Sequence, residues 1–219
     1  MDLLELGVPF SDPLADGPTI QAASQRALAQ GVTPARILRE VRGLRQRGIE
    51  LPIILMTYYN PLLRYGLERF CRESAASGVD GIIVPDLPPE EAAELKAAAD
   101  PAGLPLIFLA APTSSRERLK RIARSSSGFV YYVSLTGVTG ARRNLPKEVR
   151  GQVRAIQRMT RLPVCVGFGV SRPEQVKELA RFADGVIVGS ALLDRIGGRG
   201  GNAAAKVRDF VRGLKRACR

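Results

Sequence analysis

The sequence predicts an α/β chain built on a parallel sheet, either closed as a barrel of β/α units or open and doubly wound. Three observations predict it. Short apolar runs recur at 3–8, 53–58, 81–84, 104–109, 129–133, 164–167 and 185–188. They are continuous rather than alternating, as in strands buried on both faces. Between them lie Gly-, Pro- and Asp-bearing loops followed by stretches with helical punctuation. No linker or shift in composition breaks the series, so residues 1–219 read as one domain.

The first run carries Glu5 between Leu4 and Leu6 and leads into Phe10-Ser11-Asp12-Pro13-Leu14-Ala15-Asp16-Gly17-Pro18, a loop dense in turn formers. Asp12 before Pro13 suits a turn, and Asp16-Gly17-Pro18 suits the opening of a helix. Thr33 and Pro34 open the next helix at Ala35, and Gly48 closes it. The second run ends in Tyr58-Tyr59-Asn60-Pro61, the third in Val84-Pro85-Asp86-Leu87-Pro88. After the fourth, Ser114-Ser115 precedes a helix over 116–124. The fifth holds Tyr131 and Tyr132 and passes into Ser134-Leu135-Thr136-Gly137-Val138-Thr139-Gly140, a candidate mobile lid. The sixth and seventh end in Gly167-Phe168-Gly169-Val170-Ser171 and Val188-Gly189-Ser190-Ala191. Seven runs are one short of a (β/α)8 barrel, which usually needs about 250 residues. The expected deficit is the first βα unit, as though the start had been set at an internal methionine or the chain were a fragment.

Composition excludes several kinds of chemistry. With 45% hydrophobic and 25% charged residues the chain is ordinary globular protein. No apolar run approaches the roughly 20 residues of a membrane span. Histidine is absent, which removes imidazole bases, His-assisted nucleophiles and His metal sites. Cys71, Cys165 and Cys218 are far apart, suiting a reducing, cytoplasmic setting rather than a disulfide frame or a zinc site. The net charge of +12 raises the question of nucleic acid. However, Arg36, Arg39, Arg42 and Arg116, Arg118, Arg121, Arg124 fall at helical spacing with no interleaved aromatics, and they read as solvated helix faces.

Acid–base work therefore falls to carboxyls. A carboxylate among leucines is costly to ionise, so Glu5 is expected to titrate near neutrality, as a general acid/base requires. Asp16, in the following loop, has different surroundings and so a different role. The glycine-bearing loops after the last two strands, with a short helix after the second, make a phosphate cradle in which backbone N–H groups meet the anion. Tyr58 and Tyr59 offer aromatic walls to a flat apolar substrate.

Residues 4–21, together with Tyr58-Tyr59-Asn60-Pro61, Val84-Pro85-Asp86-Leu87-Pro88, Thr136-Gly137-Val138-Thr139-Gly140, Gly167-Phe168-Gly169 and Gly189-Ser190, resemble the tryptophan synthase α chain family in order along essentially the whole chain. The resemblance implies a (β/α)8 TIM barrel and a lyase that cleaves indole-3-glycerol phosphate to indole and glyceraldehyde 3-phosphate. It implies no metal or cofactor in this chain, a pyridoxal-phosphate-dependent β chain as partner in an α2β2 tetramer, and neither membrane nor nucleic acid. By position, Glu5 would be the acid/base, Asp16 the carboxylate on the indole N–H, and Tyr131 a neighbour of the acid. Tyr58 would wall the indole pocket. Thr139 would sit in the closing loop, and Gly140, Phe168, Gly169, Gly189 and Ser190 around the phosphate. The stretch 10–16 and the turn 86–88 would face the β chain. Two alternatives stay open: a catalytically impaired fragment that only binds a β-chain partner, and another phosphate-binding barrel lyase or isomerase.

Overall fold

The computed structural model describes residues 1–133, 147–167, 169–198 and 202–218. They form two compact units, residues 2–108 with 126–128, and residues 109–125 and 129–219 with Met1.

The first unit is a parallel sheet in the order β1 (Leu4–Gly7), β2 (Ile53–Met56), β3 (Gly81–Ile83), β4 (Leu106–Ile107). Five helices accompany it: α1 (Pro18–Ala29), α2 (Pro34–Gln46), α3 (Tyr59–Tyr65), α4 (Leu67–Ser77) and α5 (Ala93–Ala99). Glu5 stands opposite Ile54 and Gly7 opposite Met56. Ile53, Leu55, Ile82 and Ile83 are fully buried, with Val41, Leu62, Phe70 and Leu95 from the helices. Each such side chain contributes about 1.5–3 kcal/mol by leaving water. Helix α2 begins as its punctuation predicts: the Thr33 hydroxyl accepts the Arg36 N–H at 3.3 Å, and Pro34 occupies the first turn.

The second unit repeats the plan with β5 (Leu109–Ala110), β6 (Val130–Val133), β7 (Val164–Gly167) and β8 (Gly185–Ile187), again parallel and in that order. Its helices are α6 (Arg116–Ser125), α7 (Lys147–Gln157), α8 (Pro173–Leu179), α9 (Ser190–Gly197) and α10 (Ala203–Ala217). Val130, Tyr132, Val164 and Val166 are buried in its core, as are Ile122, Val153, Ile156 and Leu179 from the helices. The buried Tyr132 hydroxyl donates to the Gln152 side chain at 2.7 Å, and Gln152 donates onward to the Pro112 carbonyl at 2.9 Å.

One device recurs in both sheets. Asp80, just before β3, accepts the N–H of Ile53 at the start of β2 at 2.7 Å, and Asp184, just before β8, accepts the N–H of Val164 at the start of β7 at 2.8 Å. Each carboxylate satisfies a backbone donor that the parallel ladder leaves unpaired. Arg45 pins the first of these, pairing with Asp80 while donating to the carbonyls of Gly78, Ile49 and Leu51.

Two expectations change. The run 104–109 is not one strand: it is interrupted at Phe108, whose N–H goes to the Ser126 hydroxyl at 3.3 Å instead of to a ladder partner. Burial on both faces holds for β2 and β3, whereas β1 and β8 are half-buried. Each is the end strand of its own sheet among the described residues, with a ladder partner on one side.

At Gly167 in β7 the Tyr131 side chain from β6 lies close over the main chain. A Cβ there would lie 2.7 Å from the Tyr131 hydroxyl. Gly167→Ala is therefore expected to destabilise the protein by about 1–3 kcal/mol in thermal unfolding, the usual cost of overpacking.

Candidate active site

Because β1 and β2 run parallel, the chain leaves both at the same end of the sheet, and the loop after β1 meets the residues after β2. The Val8 N–H still bonds the Met56 carbonyl at 2.8 Å. Beyond it the loop returns so that the Ala15 N–H donates to the Tyr58 hydroxyl at 2.9 Å. The Phe10 and Tyr58 rings lie 5.5 Å apart, tilted by 36°, a favourable aromatic arrangement. Helix α1 is opened by Gly17 and Pro18 with no side-chain cap. The Asp16 carboxyl is thus not consumed in capping, and the Tyr58 hydroxyl donates to it.

Glu5, Asp16 and Tyr58 are brought together here. Glu5 is half-buried in β1. Desolvation, with the negative charge of Asp16 added to it, pushes its carboxyl from the ordinary 4.5 up to about 7. Burial also raises Asp16, while the hydrogen bond from Tyr58 pulls it back down. Tyr58, 4% exposed, is pushed up to about 12, first by burial, so its hydroxyl keeps its proton and remains a donor at physiological pH. Two carboxyls in different surroundings can divide acid–base and electrostatic roles between them.

In the second unit, β7 and β8 pair with Gly167 opposite Ile187, so the loops carrying Gly169 and Gly189 leave at one end. Gly169 has φ +56°, a conformation that favours glycine, and it is exposed. Gly189 is the N-cap of α9, and Ser190 is its first residue. Neither Gly169 nor Gly189 has another atom within 4 Å of where a Cβ would stand, so both main chains are open to a ligand. Tyr131 lies in β6 of this unit, half-buried. Thr139, Gly140 and Phe168 lie outside the described residues, as does the segment read as a lid.

Sequence reasoning cast Tyr58 as an apolar wall and missed its hydroxyl, which orients Asp16. Residues 15, 16 and 58 are brought together only by strand register, which no local motif announces. Among the described residues no three His, Cys, Asp or Glu side chains cluster as metal ligands, and no helix is long and apolar enough to cross a membrane.

The family model for the tryptophan synthase alpha chain matches residues 1–218. The tryptophan synthase alpha chain of Geobacter sulfurreducens is 57% identical over 192 residues, covering 88% of this chain and 72% of that protein. That of Roseiflexus sp. (strain RS-1) is 54% identical over 215 residues, covering 98% of this chain and 82% of that one. Among solved structures, a chain of the tryptophan synthase α2β2 complex from Pyrococcus furiosus matches with a TM-score of 0.91 at 46% identity, covering 98% of this chain and 86% of that one. The fold is accordingly that of the (β/α)8 TIM-barrel family. The chain belongs to the tryptophan synthase alpha chain family.

Proposed function

We propose that Glu5 and Asp16 carry the acid–base and electrostatic work of the reaction that family membership assigns to this chain, the cleavage of indole-3-glycerol phosphate to indole and glyceraldehyde 3-phosphate. The observation that supports it is the pairing in one unit of a carboxyl raised to about 7 with a second, differently held carboxyl.

A group that titrates near neutrality can both give and take a proton in one turnover. Protonated Glu5 delivers its proton to the indole ring carbon that bears the glycerol chain. Positive charge then develops on the ring nitrogen, and the Asp16 carboxylate stabilises it by accepting the N–H. As the carbon–carbon bond breaks, its electron pair returns to the ring. The glycerol hydroxyl becomes the aldehyde, and Glu5 takes back the hydroxyl proton. The carboxyl ends as it began, so no external acid, base or oxidant is consumed. The hydrogen bond from Tyr58 lowers the Asp16 titration against burial, which raises it. Gly169, in the loop after β7, and Gly189 and Ser190, at the start of α9, hold the phosphate through main-chain N–H groups, and Gly140 and Phe168 are assigned to it by family position. Thr139 and Tyr131 are carried by family position as well.

The partner is a tryptophan synthase β chain, and pyridoxal phosphate belongs to that chain. Leu14, 89% exposed in the loop after β1, gives this face an apolar contact for it. The three free cysteines fit a cytoplasmic setting. Indole release from indole-3-glycerol phosphate tests the reading. The chain alone should produce indole, and more of it with a β chain present; no indole in either condition would refute it.

Removing the Tyr58 hydroxyl isolates its part. Tyr58→Phe is expected to lower kcat/KM about ten- to a hundredfold, the value of a hydrogen bond to a charged group. The Asp16 carboxyl should also titrate higher than in the unaltered protein, because the bond from Tyr58 holds it down.

A further inference from the structure

Basic residues lie along the whole sequence, yet the fold gathers four of them at one place. A cavity of about 550 Å³ between α6 and α7 is lined by Arg116, Lys120, Arg124 and Arg158, with Ala155 and Met159 as its apolar part. Arg116, Lys120 and Arg124 are spaced four apart, so they form one row about 12 Å long on the face of α6. Arg158 reaches the cavity from the turn after α7. Leu119, Ile122 and Ala123 occupy the opposite, buried side of α6, which commits the cationic row to the outside.

This row is uncompensated. No Asp or Glu lines the cavity, and among the described residues none of the four cations makes an ion pair. Other basic side chains are paired: Arg45 with Asp80, Arg69 with Glu73, Lys96 with Asp100, Arg208 and Arg212 with Asp209. Like charges four apart on a helix repel one another, and an anion seated in the groove relieves that repulsion.

We propose that the groove between α6 and α7 is a binding site for a small anion carrying two or more phosphoryl groups. The volume lies in the range of small-molecule sites. Three guanidinium forks match phosphoryl oxygens in bidentate fashion, and the lysine supplies a point charge between them. A singly charged anion would leave most of the row unneutralised. The site shares no residue with the glycine cradle of Gly169, Gly189 and Ser190, so it stands or falls independently of the lyase reading.

The test is calorimetric titration of the full chain with inorganic tripolyphosphate at low salt. Binding should weaken at least about tenfold in the triple variant Arg116→Ala, Lys120→Ala, Arg124→Ala, a loss expected for several charge-assisted contacts. A control triple, Arg36→Ala, Arg39→Ala, Arg42→Ala on α2, removes the same charge elsewhere and should weaken it less than about threefold. Thermal unfolding confirms that both variants fold. Unchanged affinity in the groove variant, or equal losses in the two triples, would overturn the proposal. So would a single-stranded oligonucleotide held by the groove that tripolyphosphate cannot displace, since that would make the site a nucleic-acid surface.

Discussion

Glu5→Gln is expected to lower kcat for indole release by about two to four orders of magnitude, the usual contribution of a positioned acid/base, while the protein stays folded. Glutamine keeps the shape of the protonated carboxyl and cannot exchange its proton. The same substitution should change stability in the opposite direction, with a definite pH dependence. The folded state holds the Glu5 carboxyl at about 7 against an ordinary 4.5, so it binds this proton more tightly than the unfolded chain does. Its contribution is fully present below about pH 4.5 and is lost as pH rises through 7. Gln has no such dependence. The variant should therefore match the unaltered protein at pH 4 and exceed it at pH 8 by on the order of 1–3 kcal/mol. A rise in stability paired with a loss of activity marks a residue kept for chemistry. Unchanged activity would reject the acid/base assignment, and unchanged stability at pH 8 would reject the raised titration.

Asp16→Ala carries the second large effect. If the carboxylate stabilises charge that develops only as the ring is protonated, its loss falls on kcat and hardly on KM. About 2.7–4 kcal/mol is typical for one such interaction, which corresponds to roughly a hundred- to a thousandfold in kcat. A second readout is independent of turnover. The charge of Asp16 is part of what raises Glu5, so Glu5 should titrate lower in the variant. A change in KM alone would make Asp16 a ground-state binding residue.

Much of this was legible in the sequence, for identifiable reasons. Continuous apolar runs such as 53–58 and 164–167 report strands buried on both faces, and Thr33-Pro34 and Ser114-Ser115 report helix starts, because each signal is local. The raised titration of Glu5 was legible because a carboxyl between two leucines is a conflict that local structure does not resolve. Three things were not legible. The interruption at Phe108 depends on a hydroxyl 18 residues away taking its N–H. The hydroxyl of Tyr58 meets the loop after β1 only through the β1–β2 register, across 43 residues. Arg116, Arg118, Arg121 and Arg124 read as one solvated helix face, and only the tertiary fold sets Arg116 and Arg124, with Lys120, beside Arg158. All three are contacts set by tertiary structure, where residue identity carries no distance information.

The central claim is that the Glu5 carboxyl exchanges its proton near neutrality. It is tested most directly by following the side-chain carboxyl carbon of Glu5 by NMR from pH 4 to pH 9, with its resonance identified as the one lost in Glu5→Gln. The chain has no histidine, so no imidazole titrates in the same window to obscure the curve. A midpoint near 7 is predicted; a midpoint near 4.5, the value of an ordinary solvated glutamate, would contradict the account.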